Sequence, residues 1–143
     1  MKIRKLLQLD FLPRSTDVGL LVLRLWLGLS LLLLHGWTKL NNFPEMAGKF
    51  PDPIGLGGSP SLTLALFAEV AGALLIIVGA FTRAAALVQT FLMSVAFFVV
   101  HKAALSGPAS GELAFIYLGS FVVLLVAGAG RFSLDAKLGA KKE

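Results

Sequence analysis

The sequence predicts an all-α membrane protein, a bundle of four transmembrane helices with both termini in the cytoplasm, and three observations predict it. First, 57% of the 143 residues are apolar and only 15% are charged, far from the balance of a soluble domain. A chain of this length makes one domain, with too little interior to hide so much apolar surface. Second, the apolar residues come in blocks. Residues 18–34 and 62–81 hold one charge each, and residues 84–100 and 113–129 hold none; a helix crosses the hydrocarbon core with roughly 20 such residues. Third, the basic residues segregate. Lys2, Arg4, Lys5, Arg14, Arg83, Arg131, Lys137, Lys141 and Lys142 fall on one side of the blocks, Lys39, Lys49 and Lys102 on the other, and Arg24 inside the first. The positive-inside rule makes the richer side cytoplasmic.

The expected single domain covers 1–143, with spans at about 17–38, 62–81, 84–101 and 113–129 and an outer loop at 39–61. Residues 1–16 read as an amphipathic lead-in, with Ile3, Leu6, Leu7 and Leu9 among basic residues, ending at Pro13. The basic start resembles that of a signal peptide, but the first apolar run starts late, is long and lacks a small-residue cleavage site, so it reads as a permanent anchor. The outer loop carries Pro44, Pro51, Pro53 and Pro60 with Gly55, Gly57 and Gly58, residues that interrupt regular structure. Within it Phe43, Met46, Ala47 and Phe50 are spaced as one face of a short helix. That helix either rests on the membrane surface or closes over the bundle. Spans two and three, joined near Thr82 and Arg83, must be antiparallel neighbours. Ala68 and Gly72 form a small-x-x-x-small pair that permits close helix approach. Ser133 reads as the N-cap of a short helix in the tail.

Two charges stand inside the spans, Arg24 and Glu69. Each costs roughly 2.5–3.5 kcal/mol near the bilayer centre, and the leucines of span one offset that at roughly 0.3–0.6 kcal/mol apiece. The pair is expected to face the interior and to meet, with Gly28 and Gly72 leaving room beside it. His35 and Lys39 lie on the Arg24 stripe of span one; His101 closes span three and Glu112 opens span four. The expected site is an Arg24–Glu69 pair beneath an outer vestibule of His35, Lys39, His101 and Glu112. Each element has a plainer reading: a structural lock for the pair, an interfacial place for the histidines, and a helix-dipole role for Glu112. Trp37 reads as part of the aromatic belt, and Trp26 as facing either lipid or a ligand. No H-x-x-H or E-x-x-H spacing calls for a metal. The absence of cysteine excludes disulfides, thiol chemistry and Cys-ligated metal. The net charge of +5 sits at the membrane-flanking ends, where it favours anionic headgroups, and no nucleic-acid motif accompanies it.

At these residues the sequence resembles the DoxX family of small four-helix membrane proteins. The matching runs are Leu23-Arg24-Leu25, Leu34-His35-Gly36-Trp37-Thr38-Lys39-Leu40, Glu69 with Gly72, and Gly79-Ala80-Phe81-Thr82-Arg83-Ala84-Ala85. Met93, Ala96, His101 and Gly128-Ala129-Gly130-Arg131-Phe132-Ser133-Leu134-Asp135 complete them. The resemblance implies a multi-pass protein of a bacterial or archaeal plasma membrane, associated with an oxidoreductase that uses quinone. With no thiol, nucleotide or flavin motif, electron transfer would need a partner subunit or a borrowed cofactor. The expectation is therefore a membrane component of a redox or quinone-linked system, with a small lipophilic molecule such as a quinone bound near Glu69, Arg24 and His35. Beside it stand a non-enzymatic carrier of lipid or another apolar metabolite, and a purely structural accessory subunit.

Overall fold

A computed structural model describes residues 2–12 and 14–139; Pro13, Lys141 and Lys142, used above, lie outside the described residues. All regular structure among them is helical. Helix α1 is Lys2–Leu7, α2 Thr16–Asn41, α3 Phe43–Ala47, α4 Gly58–Val78, α5 Thr82–Val100, α6 Glu112–Ala127 and α7 Leu134–Gly139. Three of these, α2, α4 and α5, are long and apolar enough to cross a membrane, and α6 is a shorter apolar helix of 16 residues.

Several helix ends have an identifiable cause. Ser15 accepts the Val18 amide at 3.2 Å and caps α2, with Asp17 favourably placed in the first turn. Asp52 accepts the Leu56 and Gly57 amides at 2.9 and 2.8 Å and the Ser61 hydroxyl at 2.9 Å, which ties the loop to the start of α4. Gly79, at φ 70°, ends α4 in the left-handed conformation, its amide and that of Ala80 returning to Leu75. Phe81 occupies the N-cap position of α5 but has no side-chain oxygen to give. Asp135, far along the chain, supplies it, accepting the Phe81 and Thr82 amides at 2.7 and 2.9 Å. Both α2 and α5 loosen into π turns in their later halves, at Leu31–Gly36 and Val95–Val100. Such turns are uncommon and often accompany functional sites.

The four long helices pack through Leu27, Leu31, Ala73, Ile76, Ala86 and Phe121, all buried. Their outward faces are also apolar: Trp26, Phe67, Phe91 and Val126 are each more than 65% exposed. Helices apolar all round belong in a membrane or a large core, and this bundle is too small to be the second. In α1 and the residues after it, Ile3, Leu6, Leu7 and Leu9 are all exposed. Residues 42–57 connect α2 to α4 at one end of the bundle, the loop end; residues 128–139 gather at the other, the tail end.

Candidate functional site

At the loop end the helices part around a cavity of about 650 Å³, within the size range of sites for small molecules. His35 and Lys39 of α2, Ala65, Ala68 and Glu69 of α4, Met93 and Ala96 of α5, His101 just after it, and Tyr117 of α6 line it. Phe50, Pro51, Pro53 and Ile54 of the loop also line it, so the stretch after α3 forms part of the wall, whereas of the spaced residues Phe43, Met46, Ala47 and Phe50 only Phe50 reaches the cavity. Leu64, Phe67, Val88 and Phe91 line the same space and are half or more exposed. The cavity therefore opens sideways, between α4 and α5, onto the apolar flank of the bundle. Both π turns border it: His35 lies in one, and Val95, Ala96 and Val100 in the other.

Its polar centre is an ion pair. The Lys39 ammonium donates to both carboxylate oxygens of Glu69, at 2.5 and 2.6 Å, and the two side chains are 16% and 6% exposed. This corrects the expected Arg24–Glu69 pair. The expectation set the two charges at neighbouring depths by counting residues from the ends of the apolar runs. The helix contacts set a different register. A side chain added at Gly28 would meet Ile77, and one at Gly36 would meet Val70 at 2.9 Å. Glu69 therefore lies level with His35 and Gly36, roughly 16 Å along α2 from Arg24 at 1.5 Å per residue. Lys39, one turn beyond His35, reaches it and Arg24 does not.

Around the pair stand three rings. His35 meets Tyr117 edge to face at 5.7 Å between centroids, and Tyr117 donates to Ser30 at 2.8 Å. Ser30 donates in turn to the Leu27 carbonyl at 3.2 Å, so this chain of hydroxyls ends on the helix backbone. His101 Nδ1 is 3.0 Å from the Ala109 carbonyl; a carbonyl only accepts, so Nδ1 carries a proton, and in the neutral ring Nε2 is then the acceptor. A side chain added at Gly111 would strike His101, so the glycine lets the start of α6 seat that imidazole.

At the tail end Arg24 is fully buried. One Nη donates to the Phe132 carbonyl at 2.5 Å, while Nε and the other Nη have no hydrogen-bond partner among the described residues. The guanidinium packs where a side chain on Gly79 would otherwise stand. The tail is tied down on three sides. Asp17 accepts the Arg131 amide at 2.9 Å, the Asp135 amide donates to Gly79 at 2.8 Å, and the Asp135 carboxylate caps α5 as described. Desolvation pushes the Asp135 carboxyl up, but the Thr82 and Phe81 amides and the nearby Arg24 charge outweigh it and hold the group below its ordinary value. Ser133 accepts the Ala136 amide at 3.1 Å, the capping its position suggested.

The structure thus brings together His35, Lys39, Glu69 and His101 and leaves out the rest of the expected site. Arg24 belongs to the tail end. Trp26 is 75% exposed on the apolar exterior. Glu112 is exposed, is not part of the cavity lining, and sits in the first turn of α6, where the dipole reading accounts for it. Gly28 and Gly72 leave no room for a ligand, because Ile77 fills the space beside one and Gln89 beside the other. Gln89 is fully buried and donates to the Ala68 carbonyl at 2.5 Å, so the Ala68–Gly72 stretch makes room for the Gln89 side chain of α5. Tyr117, Gln89 and Asp135 escaped sequence reasoning. Tyr117 is the one tyrosine in the chain, and the apolar block around it gave no reason to single it out.

The match to a family model rests on the first three long helices. The DoxX family model matches residues 19–102, more than half of the chain, including Arg24, His35, Lys39, Glu69 and His101. The chain belongs to the DoxX family. Two proteins of Haemophilus influenzae are similar to it, each described as an uncharacterized protein. One is 38% identical over 111 residues, covering 73% of this chain and 80% of its own. The other is 32% identical over 126 residues, covering 85% and 83%. No solved structure matches. The DoxX match ends at Lys102, so the run Gly128–Asp135, which contributes to the resemblance in sequence, lies beyond it and meets the matched segment at Arg24 and Gly79.

Proposed function

We propose that this DoxX protein crosses a bacterial or archaeal plasma membrane four times, with both termini cytoplasmic, and binds a small lipophilic molecule in the loop-end cavity. The observation that carries the reading is the Lys39–Glu69 pair set in the wall of an apolar space that opens toward lipid. Charges are expensive at such a place, and a pair serving packing alone needs no cavity beside it. The apolar body of the ligand would lie against Leu64, Phe67, Phe91 and Met93, with its polar head toward Lys39, His35 and His101. Lys39, in place of Arg24, would hold a head-group oxygen. His35 or Glu69 would exchange a proton with it.

Within this reading the protein serves as the membrane component of a redox or quinone-linked system, and the ligand is a quinone. A partner subunit would carry the electrons. The sideways opening equally favours a carrier of an apolar metabolite, and the two differ in whether the bound molecule is redox-active. Native mass spectrometry of the detergent-purified protein, with organic extraction of what it carries, tests this. A stoichiometric quinone that is lost from Glu69→Gln supports the redox-linked reading, and a redox-inert apolar molecule lost in the same way supports the carrier. Protein that carries nothing, or phospholipid retained unchanged in Glu69→Gln, contradicts both.

A further inference from the structure

Resting on the cavity reading above, we infer that the site selects its ligand by charge: it takes an uncharged, single-chain amphiphile with a hydroxyl or carbonyl head and rejects anionic and cationic ones.

The argument starts from which groups face the cavity. Its titratable lining residues are His35, Lys39, Glu69, His101 and Tyr117. The two that are formally charged neutralise each other, since both Glu69 oxygens bind the same ammonium. A charged head would enter a low-dielectric space that has no spare countercharge. It would either remain unpaired or separate Lys39 from Glu69, leaving one of them unpaired, and both outcomes are costly.

Hydrogen-bonding capacity, by contrast, is to spare. Lys39 has three hydrogens and gives two to Glu69. His101 engages Nδ1 with Ala109 and keeps Nε2 as an acceptor. Tyr117 donates to Ser30, and its oxygen still accepts. The lining thus offers a donor and acceptors with no net charge, which suits a carbonyl or a hydroxyl. The volume, about 650 Å³, suits one chain or a compact ring system and is far less than a two-chain phospholipid occupies. Phe67 and Phe91 line the cavity and stand exposed on the apolar flank, so the ligand arrives from the lipid.

Three probes of one chain length test this: dodecanol, dodecanesulfonate and dodecylammonium, titrated at neutral pH into the full chain in phosphatidylcholine nanodiscs and read by native mass spectrometry. Dodecanol is expected to bind, and each charged probe to bind about tenfold more weakly or worse. Glu69→Gln, nearly the same shape, leaves Lys39 without its countercharge and should raise dodecanesulfonate to the level of dodecanol or above. The double variant Lys39→Met/Glu69→Gln should restore the wild-type order. A wild-type preference for either charged probe, or an order that Glu69→Gln leaves unmoved, overturns the inference and leaves the cavity reading standing. If the wild type binds none of the probes, or if Ala68→Phe within the cavity leaves binding intact, the cavity reading itself falls and this inference with it.

Discussion

Helix α2 carries a cation toward each of its ends, Arg24 fully buried and Lys39 partly so, and the two are handled in opposite ways. Arg24 is sealed: backbone, a glycine and the returning tail surround it. Lys39 is paired with a carboxylate and borders an open space. Both are costly to hold in an apolar setting. At the tail end the cost is offset by closing the bundle, since the segment that receives Arg24 also caps α5 and anchors to Asp17. At the loop end the helices stay apart, both π turns fall beside the gap, and packing gains little from the pair. The tail end accounts for its charge as structure. The loop end does not, and the proposal that Lys39 and Glu69 serve a bound ligand rests on that difference.

The comparison breaks most readily at Gly79. Gly79→Ala puts a side chain into the Arg24 guanidinium at a left-handed position, and should destabilise by about 3 kcal/mol or more, read as a large fall in melting temperature in detergent. Removing one partner of the loop-end pair comes next. Glu69→Gln should cost about 2 kcal/mol, and the double variant Lys39→Met/Glu69→Gln should cost less than the two single changes summed. A simple sum in that thermal double-mutant cycle would show the pair to be uncoupled.

Asp135→Ala removes the cap of α5 and should cost about 1–2 kcal/mol, with faster hydrogen exchange at the Phe81 and Thr82 amides. The same contacts make the tail acid-sensitive. The Asp135 carboxyl lies below its ordinary value in the folded protein, so its contribution is complete above about pH 4 and is lost as pH falls through the depressed value. Proteolysis at residues 128–139 should therefore rise on acidification in the wild type, and residues 42–57 should follow the same trend, because the Gly57 amide likewise holds the Asp52 carboxyl below its ordinary value. Smallest of all, Trp26→Leu on the exposed apolar face should change stability by no more than about 0.5 kcal/mol; a larger change would mean that Trp26 meets something other than lipid.

Much of the fold was legible because the membrane imposes it: the apolar runs, their lengths and the short connection at Thr82 follow from one-dimensional constraints. The pairing of charges was not. Depth counted along each run assumed that the runs begin at a common level, whereas α4 starts at Gly58, four residues ahead of the expected span, and its register against α2 is set by Gly28 on Ile77 and Gly36 on Val70. No residue count contains those contacts. The vestibule fared better. His35, Lys39 and His101 were placed from helix periodicity and helix ends, which need no partner helix, while Glu112 was assigned by level alone and faces elsewhere. Asp135 was invisible for a related reason: it caps a helix more than 50 residues away in sequence.

The most direct test of the functional division along α2 is the occupancy of the bound molecule, measured by native mass spectrometry, in two variants purified side by side. Ala68→Phe fills the cavity beside Glu69, and Asp135→Asn loosens the tail. Loss of the molecule from the first with retention by the second is the predicted result. Retention by Ala68→Phe, or loss only from Asp135→Asn, would contradict it and move the functional end of the bundle to Arg24.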